Sequence, residues 1–245
     1  MQAVINKILL NYEFVHSNKK TTIVILHGWK DSLDSWLGVL NSIKNDFNVL
    51  VVDLPGFGNS MRPLETFGVY DYAKVVKDLL NHLGIKEYIV IGHSFGGRIA
   101  SILASQDKKS LKLILVDSAG IEDRPYIYNT LLNFVSPLKS LLPKKSLLIL
   151  RRLLESKDYE NSGDMKDIFL KVISENLTND VKKINIPTYI IWGSKDAILD
   201  VSLTKKYKSL IKNSIVRIVW GAGHHPHKDK PEEFLFILKE CLNAK

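Results

Sequence analysis

The chain has 245 residues, 45% of them hydrophobic, and a formal net charge of +8. That length and apolar content suit one sizeable core and exclude a disordered chain, and no apolar run approaches the roughly 20 residues of a membrane span. The positive charge is scattered from Lys7 to Lys245 among Asp, Glu and Asn; with no basic stripe interleaved with aromatics it argues against nucleic acid and leaves, at most, a pull on acidic substrates.

In chain order, the opening MQAVINKILLNYEF lacks the basic-then-apolar order and the small-residue cleavage site of a leader, so a soluble, cytoplasmic protein without a membrane anchor is expected. Segment 2–16 reads as an antiparallel hairpin or edge strand. Six short, nearly continuous apolar runs follow: 22–26, 48–52, 88–91, 111–116, 188–192 and 215–219. Such runs are strands covered on both faces. Helical periodicity falls between them, near 34–45, 69–83, 95–106, 201–211 and 231–243. Alternating strand and helix predicts an α/β fold, a mostly parallel, doubly wound sheet of about 7–8 strands with helices on both faces.

The rhythm breaks between Val116 and Thr188. Roughly 70 residues lie there, more than a simple crossover needs. Tyr128, Leu131, Leu132 and Val135 recur at helical spacing, 144–156 gives a second helix and 163–177 a third, with Pro137 and Pro143 breaking the run. The reading is a core of 1–120 and 185–245 with a helical cap inserted at 121–184. Ligands of open α/β sheets bind beyond the carboxyl ends of the strands, so the cap is expected to cover the site. Its leucine-rich stretch 141–154 is read as a buried helix face, with a lipid-facing role as the rival reading because Lys144, Lys145, Arg151 and Arg152 flank it. Cys241, the single cysteine, shares a helical face with Phe234, Ile237, Leu238 and Leu242, which makes it a packed hydrophobe rather than a nucleophile.

Three polar residues fall just past predicted strands: Ser94 in IGHSFGG, Asp196 in WGSKDAI and His224 in GAGHHPH. A hydroxyl needs a base to become a nucleophile, and the base needs a carboxylate to fix its tautomer and stabilise its cation. Strand ends on one rim converge in space, so Ser94, His224 and Asp196 are the expected nucleophile, base and acid. Attack on a carbonyl also needs donors for the oxyanion. The N–H of Phe95, opening the helix after Ser94, is one; the second is expected from Trp29 in the loop HGWKDS.

Glycine–x–Ser–x–glycine between a strand and a helix resembles the nucleophile elbow of the α/β-hydrolase superfamily. HGW at 27–29 is similar to its oxyanion loop, DLPGFGNS at 53–60 to the segment after the next strand, GSKD to its acid loop, and GAGHHPHKDKPEEF to its histidine loop and last helix. The resemblance spans about residues 20–240 and implies hydrolysis with no metal or organic cofactor.

Other readings stand beside these. Asp117, in LILVDSAG, ends the neighbouring strand and rivals Asp196; its alternative role is to bond backbone in its turn. Asp200 is a weaker rival, read as a helix cap. His225 or His227 is expected at the pocket mouth, with Trp29 and Phe95 shaping the pocket; His27 and His93 are read as structural, and Asp53 as a loop anchor. The spacing of HHPH is poor for a metal, and neither DLPGFGNS nor GHSFGG completes a dinucleotide or Walker motif. The function expected is hydrolysis of small to medium acyl esters through an acyl-enzyme. Lactone hydrolysis and carbon–carbon bond hydrolysis are alternatives on the same chemistry, and a non-catalytic small-ligand binder is the alternative of another class.

Overall fold

The structure is a computed structural model, and it describes residues 1–121 and 162–244. The expected cap helices around 128–135 and 144–156 lie outside the described residues. A single eight-stranded sheet organises the rest. Its strands are β1 (Gln2–Ile5), β2 (Ile8–Val15), β3 (Thr22–Leu26), β4 (Asn48–Val52), β5 (Tyr88–His93), β6 (Ser110–Val116), β7 (Thr188–Gly193) and β8 (Ser214–Val219), in the order β1-β2-β4-β3-β5-β6-β7-β8. The β1–β2 and β2–β4 pairings are antiparallel and the others parallel. The opening segment is therefore a hairpin that extends one edge of the sheet, as its pattern suggested.

Alternate residues of the central strands feed two separate cores, which is why the runs are apolar throughout. On one face Val24, Leu50, Val90, Leu113 and Ile190 pack under α2 (Val69–His82) and α3 (Phe95–Gln106). On the other, Ile23, Val49, Ile91, Ile114 and Ile191 meet Trp36 and α1 (Leu37–Ile43). The remaining described helices are α4 (Lys166–Ser174), α5 (Thr178–Val181), α6 (Leu203–Leu210), α7 (Pro226–Asp229) and α8 (Pro231–Asn243). The last of these lays Phe234, Ile237, Leu238 and Cys241 on the second face, and Cys241 is the buried hydrophobe its helical position implied. Each such side chain, fully withdrawn from water, is worth about 1.5–3 kcal/mol. The helix read at 34–45 is shorter, because a 3-10 turn at Leu33–Trp36 precedes α1. The helix read at 163–177 is also trimmed, running from Lys166 to Ser174 after a 3-10 turn at Gly163–Met165.

Register sets the functional rim. Leu26 pairs with Gly92, His93 with Val116, Val116 with Ile191 and Gly193 with Val219. The parallel strands thus end nearly level, and the loops that follow meet at one edge. The chain leaves β3 toward β4 on one side and returns to β5 on the other, so a topological switch point lies between the ends of β3 and β5.

Segment 162–184 is fastened to the core beside this edge. Arg98 Nη1 donates to the carbonyls of Val172 and Glu175 at 3.1 and 2.9 Å. Glu175 Oε2 accepts the Val69 N–H at 2.6 Å, placing a carboxylate on an orphan donor at the start of α2. No helix among the described residues is long and apolar enough to cross a membrane.

Candidate active site

Ser94 sits where β5 must turn straight into α3. Its backbone has φ 49° and ψ −109°, a strained conformation for a residue with a Cβ, of order 1–3 kcal/mol. The glycines on either side make the bend possible. A Cβ on Gly92 would lie 2.4 Å from the Gly96 carbonyl oxygen, and one on Gly96 would lie 2.2 Å from that of Leu26. The backbone is locked from both directions: Ser94 N–H donates to Val116 O at 3.0 Å, and Ala119 N–H donates to Ser94 O at 3.2 Å. The strain therefore holds the hydroxyl out of the turn.

Asp196 and His224 lie on the loops after β7 and β8. These loops are tied together by the Lys195 N–H donating to Ala222 O at 2.8 Å, and the histidine loop by Gly223 N–H donating to Asp229 Oδ2 at 2.8 Å. His224 Nδ1 lies 2.8 Å from Asp196 Oδ2, and His224 Nε2 lies 3.0 Å from Ser94 Oγ. A carboxylate only accepts, so Nδ1 carries the proton and Nε2 offers its lone pair to the hydroxyl. Burial pushes the Asp196 carboxyl up. The imidazole, with the N–H groups of Leu199 and Ile198, outweighs burial and leaves the carboxyl below its ordinary range. Those two N–H groups reach Asp196 Oδ1 at 3.0 and 2.8 Å. The structure thus brings together Ser94, His224 and Asp196 from three separate loops.

The neighbours named in the sequence divide clearly. His27 donates from Nδ1 to Gly28 O at 2.7 Å and accepts the Leu54 N–H on Nε2 at 3.0 Å, tying the ends of β3 and β4. His93 donates from Nε2 to the His224 carbonyl at 2.7 Å and so ties the end of β5 to the loop after β8. Burial drives the His93 ring down to about 3, which keeps it neutral in that role. Asp53 accepts from Leu33 N–H, Asn11 Nδ2 and Asn59 N–H, anchoring its loop. Asp200 accepts the Ser202 N–H ahead of α6 at 2.8 Å. Asp117 bonds backbone as read, but that of the adjacent strand: its Oδ1 accepts the Gly193 N–H at 2.9 Å. His227 departs from expectation. Its ring stacks on Trp36 at 4.1 Å and is buried, so it does not line a pocket mouth. His225 is half-buried and packs on His93 and His224, with centroids 5.0 and 5.2 Å away.

Trp29 and Phe95 stand beside the serine. Phe95 is the first residue of α3, where N–H groups lack intrahelical partners. The Trp29 N–H finds no acceptor among the described residues. The Trp29 ring meets Phe57, Phe169 and Phe95 at centroid distances of 4.8, 5.1 and 5.3 Å, and its Nε1 donates to Ser162 Oγ at 3.2 Å. Phe169, Met165 and Ser162 come from segment 162–184, and the sequence alone did not single them out for this cluster. The helical period of α4 was the available signal, but it marks an apolar face without saying what that face meets. A cleft of about 300 Å³ runs between Trp29, Phe57 and Met165. A larger one, about 450 Å³, lies by Thr22 and Asn48 at the opposite end of the strands, away from this chemistry.

Two groups of side chains are close enough to share a cation: Asp31, His93 and His225, and Asp117, Asp196 and His224. In the first, the Lys228 ammonium already sits 3.1 Å from Asp31; the second contains the His224–Asp196 hydrogen bond.

Residues 21–142 match a family model described as alpha/beta hydrolase fold. Monoacylglycerol lipase ABHD6 of Mus musculus is 27% identical over 95% of this chain and 80% of its own length. A Bacillus subtilis protein named uncharacterized hydrolase YugF is 28% identical over 90% of this chain and 89% of its own. Among solved structures, a membrane phospholipase A described as a bacterial virulence factor superposes with a TM-score of 0.81 and 27% identity, covering 100% of this chain and 86% of that one.

Proposed function

This chain belongs to the α/β-hydrolase superfamily, and from that premise we propose that it is a serine hydrolase of carboxylic esters. The observation that carries the proposal is the continuous line of hydrogen bonds from Ser94 Oγ through His224 to Asp196, at 3.0 and 2.8 Å. In the proposed cycle His224 Nε2 takes the Ser94 proton as Oγ attacks the ester carbonyl. The N–H groups of Trp29 and Phe95 receive the oxyanion; loss of one such donor typically costs about 3 kcal/mol. The imidazolium, stabilised by Asp196, then protonates the departing alcohol and leaves an acyl group on Ser94. Water, deprotonated by His224, attacks that acyl carbonyl, and the returning proton frees Ser94 and the acid.

The cluster of Trp29, Phe57, Phe95 and Phe169 packed beside the elbow supports an apolar acyl group, and a small or medium acyl ester is the substrate class we propose. The relatives named as monoacylglycerol lipase and phospholipase A make glycerol-linked acyl esters the first natural class to try. The test is a panel of nitrophenyl esters from acetate upward, monoacylglycerols and lactones of graded size. Turnover on esters, abolished in Ser94→Ala, is the expected result. Preference for lactones moves the substrate class within the same chemistry. Failure on every ester and lactone, with tight binding of a small ligand, overturns the enzyme reading.

A further inference from the structure

Asp117 is a buried carboxyl that the reaction above does not use. It follows β6 with φ 41°, a left-handed backbone unusual for a residue with a side chain. Its N–H donates to Ile191 O at 3.0 Å and its Oδ1 accepts from Gly193 N–H at 2.9 Å, so both contacts grip the end of β7. Its other oxygen, Oδ2, is buried with no hydrogen-bond partner among the described residues. One side-chain atom each of Asp117, Asp196 and His224 lies within 4.8 Å of the others. Asp196 is an acceptor that already answers to His224, Ile198 and Leu199. Two ionised carboxylates this close, buried together, repel; an unpartnered oxygen on one and a charged acceptor on the other are resolved by a single proton between them.

We propose that Asp117 is a positioning residue whose Oδ2–H donates to Asp196 while its Oδ1 accepts from Gly193, a bracket that fixes the carboxylate facing His224. The inference rests on the serine-hydrolase reading for its catalytic consequence, not for the proton itself. Every charged or titratable neighbour agrees with a neutral Asp117. Asp196 on the loop after β7 and Asp229 on α7 are both negative and disfavour a further charge. His224, on the loop after β8, pairs with Asp196. Among the described residues, the contact that opposes this is the Gly193 N–H. Burial, the largest influence, and these two carboxylates push the Asp117 carboxyl up to about 9.

The proton is read directly by infrared difference spectroscopy of wild type against Asp117→Asn. At pH 7 the wild type shows the carbonyl band of a buried carboxylic acid that the variant lacks, and the band fades as pH rises through about 9. Kinetics on an ester then tests the positioning. Asp117→Ala, which loses both bonds, lowers kcat about ten- to a hundred-fold with KM little changed. Asp117→Asn, which keeps an oxygen for Gly193 and offers Asp196 an N–H, recovers most of that loss. It also removes the alkaline fall in kcat that the wild type shows once Asp117 ionises. Absence of the band, or an alkaline limb unchanged in Asp117→Asn, overturns the inference. Absence of ester turnover in the wild type, with the band present, instead overturns the serine-hydrolase reading and leaves the proton in place.

Discussion

Asp117 and Asp196 end adjacent parallel strands, are both buried, and have opposite electrostatic fates. Asp196 receives two backbone N–H groups and an imidazole N–H, and these hold it ionised against the cost of burial. Asp117 receives one N–H and faces two other carboxylates, so burial wins. The number of donors aimed at each group decides which carboxyl can serve as the partner of a base. A neutral acid cannot stabilise an imidazolium; a well-solvated anion can.

The largest effect that can break this comparison is on turnover. Asp196→Asn is expected to lower kcat/KM about 10⁴-fold, because the amide cannot stabilise the protonated base. Asp117→Asn is expected to change it only a few-fold at pH 7. Equal losses in the two variants, measured on the same ester, contradict the division of roles.

The next effect is on stability, and its sign differs between the two acids. Asp117 is raised from 3.8 to about 9 in the folded chain. Between those values the unfolded chain has lost the proton and the native one keeps it. Stability therefore falls as pH rises through that window, by up to about 1.4 kcal/mol per pH unit, and levels off above it. Asp196 is lowered from 3.8, so its contribution is present above that value and is lost as pH falls through its folded pKa. Melting temperatures of Asp117→Asn minus wild type are thus expected to rise steadily from pH 5 to 9. A flat difference means that Asp117 is ionised when folded. The smallest effect belongs to the third acid of the region: Asp200 is exposed and its Oδ1 accepts the Ser202 N–H ahead of α6, so Asp200→Ala is expected to leave turnover where it was and to lower the melting temperature slightly.

The frame of this arrangement was legible in the sequence, for local reasons. Strands covered on both faces write themselves as apolar runs, and the tight bend around Ser94 needs glycine at 92 and 96 whatever the rest of the chain does. The ranking of Asp196 over Asp117 came from motif position; the structure adds the physical ground, the Ile198 and Leu199 N–H groups. What escaped depends on distant partners. The upward shift of the Asp117 carboxyl comes first from burial and then from Asp196 on a loop and Asp229 on α7, both many residues away. Arg98 clamps carbonyls at 172 and 175, 74 and 77 residues along the chain. His227 looked like a third histidine for the pocket because HHPH is contiguous, yet Pro226 opens α7 and the ring turns under Trp36. No local pattern records such contacts.

Covalent capture tests most directly whether Ser94 is an activated nucleophile. Treated with a fluorophosphonate at neutral pH, the wild-type chain is expected to gain one adduct, localised by peptide mass to Ser94, while His224→Ala reacts orders of magnitude more slowly. An unmodified wild-type chain, or an adduct on another residue that forms equally fast without His224, contradicts it.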